Sequence, residues 1–416
     1  MKRHAFMLRK FLAGYLAAAL LLPVCAFAEE TTQPPLEVKR PSLKIQFSGY
    51  AKSQSFFTQT SGFSPEFVDN PALLEQDENS FNALQRLRLK IKALYKISDE
   101  TRVSANIHYD HQANFGTFIS TGDARISRKQ AEDRQFLDLS QTLIENDDTD
   151  YQHRLYRASV LLETRYADVE IGRQQIPWGV GHFFTPTDVF NSFNPTQIEL
   201  EERDGVDALR LRSPAIRGVQ GEFIYTPQGR QLHPSRFMGR LSGDFRGYEI
   251  GILGGHIKRD NAVGFDFAGN IGDSSVRGEL LFRNADTEKD YLKFTVNADY
   301  NFPFNLYGLI EYHFNGQGRR DTASYQLDRL VRGDIRELGR NYGAVMLGYD
   351  VTALIRLENR LIMNLDDASL FLRPEVQYEL SSDLLFTLAS QLFLGSNTDE
   401  YGRPKNLFFG ELTYSF

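Results

Sequence analysis

The chain has 416 residues, of which 24% are charged, and a formal net charge of −7. Its mean hydropathy of −0.38 excludes a bundle of membrane-spanning helices, because each such helix needs about 18 consecutive apolar residues and no segment after the N-terminal region has them. The single cysteine excludes an intrachain disulfide and a site built from several thiolates.

Residues 1–28 have the three parts of a secretory signal peptide. An apolar stretch over residues 11–24 follows the basic residues Lys2, Arg3, Arg9 and Lys10. Ala26-Phe27-Ala28 is the expected cleavage site, and lipid attachment at Cys25 is the less favoured alternative because Val24 precedes it. Cleavage removes four basic residues and no acidic ones, which takes the net charge from −7 to about −11.

Residues 29–41 are predicted to be a periplasmic N-terminal tail, and residues 42–416 a single β domain. Over residues 86–97 the apolar residues fall at every second position, which is 180° per residue and therefore a strand rather than an amphipathic helix. One face carries Leu87, Leu89, Ile91, Ala93, Tyr95 and Ile97, and the other carries Arg86, Arg88, Lys90, Lys92 and Lys96. Residues 291–302 repeat this pattern.

Counted along the chain, such segments predict about 18 strands, within a range of 16 to 18 for this length. Short connections alternate with long ones, as expected for periplasmic turns and extracellular loops. A soluble β-sandwich has no reason for that alternation. The predicted fold class is all-β, a transmembrane antiparallel β-barrel with long extracellular loops and short periplasmic turns.

The last segment, residues 406–416, has Phe408, Gly410, Leu412, Tyr414 and Phe416 on one face. A terminal strand that ends on phenylalanine resembles the closing strand and assembly signal of bacterial outer-membrane barrels. The resemblance implies a Gram-negative outer membrane as the location. It also implies two kinds of partner, outer-membrane lipid and the barrel-assembly machinery, which would bind the Phe416 strand.

Charged residues at inward positions are candidates to line a channel. The basic candidates are Arg86, Arg88, Lys90, Lys92, Arg157, Arg165, Arg173, Arg210, Arg212 and Lys293. For most of them, pairing with acids on neighbouring strands is the simpler interpretation. The row from Arg86 to Lys92, with Arg210 and Arg212, is the exception, because four consecutive inward cations predict a field that attracts anions.

The long connection over residues 176–205 is predicted either to fold into the lumen as a constriction or to cap the barrel. Its candidate constriction residues are Trp178, Glu199, Glu201, Glu202 and Asp204, with Arg173 completing an eyelet. For Trp178, a place in the aromatic girdle at the membrane surface is slightly favoured.

Three runs in this region carry a family resemblance: residues 172–179 (Gly-Arg-Gln-Gln-Ile-Pro-Trp-Gly), residues 186–195 (with Pro-Thr-Asp-Val-Phe-Asn and then Asn-Pro) and residues 201–206 (Glu-Glu-Arg-Asp-Gly-Val). Together they resemble the alginate-export-type family of outer-membrane porins. The resemblance covers about 60 residues and implies a large monomeric transport barrel with a charged lumen. It implies no substrate for this chain.

The sequence thus predicts a porin that passes small hydrophilic solutes or ions, with a preference for anions. One alternative is a sheath around a multihaem cytochrome partner in a trans-membrane electron-transfer complex; another is an exopolysaccharide export channel. A barrel hydrolase would need a cluster centred on histidine, for which His108, Asp110 and His111 are the candidates. No cofactor, metal site or nucleic-acid partner is predicted, and the protein is not expected to be an enzyme.

Overall fold

The structure is a computed structural model. It describes residues 42–58, 80–116, 135–146, 148–191, 195–198, 203, 205–227, 235–286, 289–331, 334–404 and 406–416. The predicted signal peptide and periplasmic tail, residues 1–41, lie outside the described residues, so their boundaries stay predictions.

Nineteen strands are found in the described part of the chain. They are β1 (Leu43–Thr58), β2 (Ser80–Lys96), β3 (Thr101–Gly116), β4 (Ser140–Glu145), β5 (Thr149–Thr164), β6 (Asp168–Gln174), β7 (Val206–Arg212), β8 (Val219–Thr226), β9 (Arg236–Phe245), β10 (Tyr248–Ile257), β11 (Asp260–Ile271), β12 (Ser274–Asn284), β13 (Tyr291–Phe302), β14 (Leu306–Asn315), β15 (Asn341–Asp350), β16 (Ile355–Asn364), β17 (Leu370–Ser381), β18 (Leu384–Leu394) and β19 (Leu407–Ser415). A 3₁₀ turn (Thr322–Ser324) and one short helix, α1 (Leu327–Val331), follow β14.

Eighteen of these strands form a closed antiparallel barrel, which confirms the predicted fold. Each strand pairs with its neighbour along the chain, and β19 pairs with β1. The additional strand, β4, was not predicted. It pairs with β5 residues that also pair with β3, so it lies on the opposite edge of β5, beyond the point where pairing with β6 stops.

Side chains alternate between the two faces of the wall, as β13 illustrates. Val296 is 46% exposed on the outer face, whereas its neighbour Thr295 is fully buried on the inner face. Apolar residues can face outward because lipid, rather than water, covers them. Of the described helices, none has the length and apolar character needed to cross a bilayer.

Connections at one end of the barrel are short and those at the other end are mostly long. The turn between β9 and β10 consists of Arg246 and Gly247, both with positive φ (56° and 83°), as a tight hairpin turn requires. The opposite end carries the long connections, although β10 and β11 are joined there by only two residues, Lys258 and Arg259. Because the barrel has an even number of antiparallel strands, its first strand begins and its last strand ends at the short-turn end.

The seam between the first and last strands is held by paired backbone groups. The Gly49 amide donates to the Phe416 carbonyl at 2.9 Å, and the Phe416 amide donates to the Gly49 carbonyl at 3.0 Å. A Cβ atom at Gly49 would lie 2.2 Å from the Arg88 carbonyl oxygen and 2.8 Å from the Phe416 ring. Glycine therefore lets the terminal aromatic ring pack directly on the wall at the seam.

We predict that Gly49→Ala weakens barrel closure, because the added methyl group overlaps backbone that cannot move cheaply, at a cost of about 1–3 kcal/mol. Gly410→Ala is the matched control, since nothing lies within 4 Å of a Cβ at Gly410 on the same seam. The measurement is the urea midpoint of unfolding and the fraction of heat-modifiable folded protein on a gel. Equal midpoints for the two variants would contradict the assigned role of Gly49.

Candidate functional site

The connection between β6 and β7, residues 175–205, is called here the lumen loop. Residues 175–191, 195–198, 203 and 205 of it are described. Ile176, Phe184 and Thr187 are all buried and contact inward-facing residues of the barrel wall, and Asp188, also buried, pairs with Arg203 of the loop itself. The described part of the loop thus lies inside the barrel, and the alternative of an exposed cap is wrong for it.

Trp178 lies in the lumen and not in the aromatic girdle that was slightly favoured for it. Its ring is 2% exposed and meets Phe190 edge-on at 5.2 Å. The indole Nε1 donates to a carboxylate oxygen of Glu222 on β8 at 2.7 Å. An apolar cluster of wall residues from β7 to β12 surrounds this end of the loop, including Ala208, Ile224, Met238, Leu253 and Leu281.

Two wall carboxylates bind the middle of the lumen loop, and we call them the latch. Glu279 on β12 accepts from the amides of Val180, Gly181 and Thr187, and from the Thr187 hydroxyl at 2.7 Å. Glu311 on β14 accepts from the amides of residues 182, 183 and 184 at 2.8 to 3.1 Å. Because loop amides occupy their oxygens, these carboxylates serve the loop and not a passing solute.

The loop continues across the lumen to the far wall. Phe183 and Phe184 pack in a cluster with inward residues of β14 to β17, and Phe184 stacks on His313 at 4.5 Å. Further along, Arg373 on β17 donates to the carbonyls of Gln197 and Ile198, and Gln391 on β18 donates to the carbonyl of Thr196 at 3.0 Å. The loop leaves the wall at β6 and is held at β17 and β18.

The surroundings of two titratable groups of the lumen loop, Asp188 and His182, shift their pKa values. Burial raises the pKa of Asp188 to about 7, although the ion pair with Arg203 and the Asn191 amide act in the opposite direction. Burial, followed by the nearby Arg277 guanidinium, lowers the pKa of His182, whose Nε2 lies 2.9 Å from that group. His182 is therefore neutral at pH 7.

The cationic row of β2 is on the inner face, as its spacing predicted. Arg88 is 1% exposed, forms a two-pronged ion pair with Asp110 on β3, and stacks over the Tyr156 ring at 3.6 Å. Arg86 donates to Gln112 at 2.8 Å. Lys90 is half-buried, 5.3 Å from the Tyr50 ring, and Lys92 is exposed.

A register shift extends this cationic surface onto β5. The shift, opposite His108 and Tyr109, leaves Tyr156 as the extra residue, and the Arg154 and Arg157 guanidiniums lie 4.9 Å and 5.4 Å from its ring. Arg154 and Tyr156 were not among the predicted residues, because strict alternation gives no sign of a bulge. We call the surface of Arg86, Arg88, Lys90, Lys92, Arg154 and Arg157 the basic wall.

Three other predicted channel residues lie on the inner face but pair with acids. Arg210 pairs with Glu222, Arg212 lies 3.6 Å from Asp168, and Lys293 lies 3.0 Å from Glu337. Their charges are therefore largely compensated, as the simpler interpretation predicted for Lys293; for Arg210 and Arg212, which were grouped with the unpaired cationic row, the prediction is wrong. The four predicted acids of the constriction, Glu199, Glu201, Glu202 and Asp204, lie outside the described residues.

Arg173 and Arg165 do not line the channel, so these two predictions are wrong. Arg173 shares the outer face with Ile171 and pairs with Asp207 at 3.1 Å. The segment before β4 covers this pair, since Arg173 donates to the Leu137 carbonyl at 2.6 Å. Arg165 lies in the short turn between β5 and β6, 3.6 Å from Glu100 and largely exposed.

The histidines considered for a hydrolase do not converge. His108 faces inward beside Lys90, whereas His111 is at an outward position and bonds to the Tyr151 hydroxyl at 2.8 Å. No group of three or more metal-ligating side chains is found among the described residues.

At the long-loop end, three outer connections meet around Glu400. Its carboxylate accepts from the Tyr342 hydroxyl at 2.6 Å, from Asn364 at 2.8 Å and from the Leu338 amide at 2.9 Å. The Glu400 amide in turn donates to Asp367 at 2.9 Å. This network, the outer-loop cluster, joins the described parts of the three connections that follow β14, β16 and β18.

No protein-family model and no curated relative matches the sequence. The solved structures that share its fold include two porins from Pseudomonas. A BenF-like porin from Pseudomonas fluorescens Pf-5 aligns with a TM-score of 0.56 at 10% identity, covering 89% of this chain and 98% of that one. OccK7 (OpdD) from Pseudomonas aeruginosa aligns with a TM-score of 0.51 at 8% identity and the same coverage. The chain has a porin-type barrel. At these identities the likeness establishes the fold alone.

We predict that the latch restricts the motion of the lumen loop inside the barrel. In Glu279→Gln/Glu311→Gln, amide nitrogens replace acceptor oxygens, and each buried loop amide left unpaired costs about 1–3 kcal/mol. Single-channel recordings should show larger current fluctuations. Asp266→Asn is the control, because Asp266 is a buried wall carboxylate that pairs with Arg240 at 2.7 Å. Current noise no greater than that of the control would contradict the assignment.

We also predict that the outer-loop cluster loosens as pH rises. Burial raises the pKa of Glu400 to about 7, above its ordinary value of 4.5. The protonated carboxyl group therefore stabilises the cluster. This contribution is complete below pH 4.5 and is lost as the pH rises through about 7. Hydrogen exchange of residues 395–406, corrected for intrinsic rates, should be at least about tenfold faster at pH 8 than at pH 5. Glu400→Gln should remove this difference; if the variant retains it, another group is responsible.

Proposed function

We propose that this protein is an outer-membrane channel for small hydrophilic solutes, with a preference for anions. The observation that carries the proposal is the arrangement of the lumen loop and the basic wall. Apart from Arg157, which donates to the Arg203 carbonyl, the described polar contacts of the loop go to β8 through β18. The residues of the basic wall lie on β2 and β5, so a solute would pass between the lumen loop and the basic wall.

The charges on the two sides of that passage are unequal. On the loop side, the Glu279 and Glu311 carboxylates are already bound by loop amides. On the basic wall, Lys90 and Lys92 retain exposed surface, and Arg88 is fixed by its ion pair and by the Tyr156 ring. Oriented charges beside a narrow aqueous path select ions by sign, so anions should be favoured.

The location follows from the same architecture. A barrel whose outer face is apolar requires a bilayer, and long loops at one end with both termini at the other are typical of bacterial outer-membrane barrels. The proposed partners are outer-membrane lipid and the assembly machinery that recognises the Phe416 strand. Export through a cleaved signal peptide belongs to this proposal.

The same geometry bears on the two alternative functions, a cytochrome sheath and an exopolysaccharide export channel. A sheath around a multihaem cytochrome needs a clear bore, and the lumen loop crosses the interior, which favours a solute channel. Export of an exopolysaccharide, suggested by the alginate-export-type resemblance, stays a prediction. A uronate oligomer added to a reconstituted channel separates the two cases, because export predicts current block at low oligomer concentration.

We predict that Lys90→Gln/Lys92→Gln reduces anion preference without closing the channel. The change removes two accessible charges while leaving the buried pair of Arg88 with Asp110 in place. Reversal potentials in planar bilayers under a salt gradient should shift toward cation preference. Arg246→Gln, an exposed charge in the β9–β10 turn, is the control. An unchanged reversal potential would remove the role of the basic wall, and absence of any conductance would overturn the channel itself.

A further inference from the structure

A cavity of about 150 Å³ lies on the other side of the lumen loop from the basic wall. Its walls are the loop from Phe184 to Phe190, the upper ends of strands β9, β10, β12, β13 and β14, and the connection that follows β14. We call it the side cavity. An engineered apolar cavity of this size takes up benzene, so the side cavity has room for one small organic solute.

The side cavity is apolar on one side and cationic on the other. Phe184, Val189, Phe190, Ile257 and Leu281 line the apolar side. Five cations also line the cavity, namely Arg236, Lys258, Arg283, Lys293 and Arg336, against three carboxylates, Asp188, Asp334 and Glu337. The lining is therefore net positive.

The three carboxylates are already engaged. Asp188 pairs with Arg203, Asp334 lies 3.8 Å from Lys258, and Glu337 lies 3.0 Å from Lys293. Arg236 donates to the carbonyls of residues 189 and 190, and no carboxylate pairs with it among the residues that the structure describes. Arg283 pairs with Asp260, which lies outside the lining, so the excess positive charge is concentrated around Arg236.

Two buried nitrogen atoms of the lining lack a hydrogen-bond partner within the described part of the chain. They are Nε2 of His313 and Nε of Arg283. His313 is 2% exposed, and its Nδ1 bonds to the Thr295 hydroxyl at 2.9 Å. A buried polar group without a partner costs about 1–3 kcal/mol, which makes this pair of nitrogens a place where a ligand oxygen would be stabilised.

From these observations we propose that the side cavity binds a small organic anion, with one carboxylate group attached to an apolar body of benzene size. The carboxylate lies among Arg236, Arg283 and His313, and the body packs on Phe190, Ile257 and Leu281. The inference rests on the proposed function in one respect, namely that the solute arrives through the aqueous lumen.

The chain contains its own reporter for this binding. Trp178 is the only tryptophan, and it contacts Phe190, which lines the cavity. Benzoate titrated into the detergent-solubilised protein should change Trp178 emission saturably, with a matching heat in calorimetry. Benzamide has nearly the same shape without the charge and should bind at least about tenfold more weakly, a difference of one charged contact.

Two variants test the site by different routes. His313→Phe keeps the ring that stacks on Phe184 but removes Nε2, and should weaken benzoate binding about tenfold. Val189→Phe fills the cavity while leaving every charge in place, and should abolish binding. His256→Phe is the matched control, because His256 is exposed and stacks on Phe237 at 5.6 Å, away from the cavity.

The outcomes separate this inference from the proposed function. Equal affinity for benzoate and benzamide, no emission change and no heat with benzoate, or unchanged binding in both variants would overturn the side cavity as an anion site. Bilayer recordings of the same preparations could then still show an anion-preferring channel. Conversely, absence of conductance with intact benzoate binding would overturn the channel and leave the binding site standing.

Discussion

The hydrocarbon of a membrane supplies no hydrogen bonds, so each backbone amide and carbonyl in the wall must find its partner within the protein. A closed ladder of strands meets that condition without an edge, and the pairing of Gly49 with Phe416 is the point where the first strand meets the last. Closure also produces the chemistry of the interior. Because successive side chains point to opposite faces, an apolar exterior obliges the remaining half of the residues to face a shared lumen.

The wall is lowest where the lumen loop leaves it. Strands β6 and β7 have seven residues each, whereas β5 has 16. Strand β6 is therefore too short to pair with the upper part of β5, whose edge facing β6 would be left without a partner strand. Strand β4 pairs with this part of β5 and provides the missing ladder. The same segment covers Arg173 and Asp207, which is why two charged residues can lie at outward positions: their ion pair and the Leu137 backbone satisfy them.

Local alternation was sufficient to predict the barrel, its strand number and the inward direction of Arg86 through Lys92, because each depends on a strand and its nearest neighbours. It was insufficient for Arg173, which is covered by a segment more than 30 residues earlier in the chain. It also missed Trp178, since a tryptophan just after a strand is equally compatible with a lipid interface and a buried contact. The partner that decides the matter, Glu222, is 44 residues away.

A lumen that contains both acidic and basic residues can still have an electric field, because in this barrel the acidic and the basic residues have different partners. Several acidic residues of the described interior are bound by nearby groups. Glu222 binds Arg210 and Trp178, and Glu279 and Glu311 bind loop amides. A carboxylate that accepts several fixed donors has its charge compensated by their dipoles. The cations of the basic wall are arranged otherwise. Three guanidiniums surround one neutral ring, Tyr156, and two of them, those of Arg88 and Arg154, share the Asp110 carboxylate. The loop therefore has two physical consequences: it narrows the passage, and its amides compensate the charges of the two carboxylates that hold it, Glu279 and Glu311.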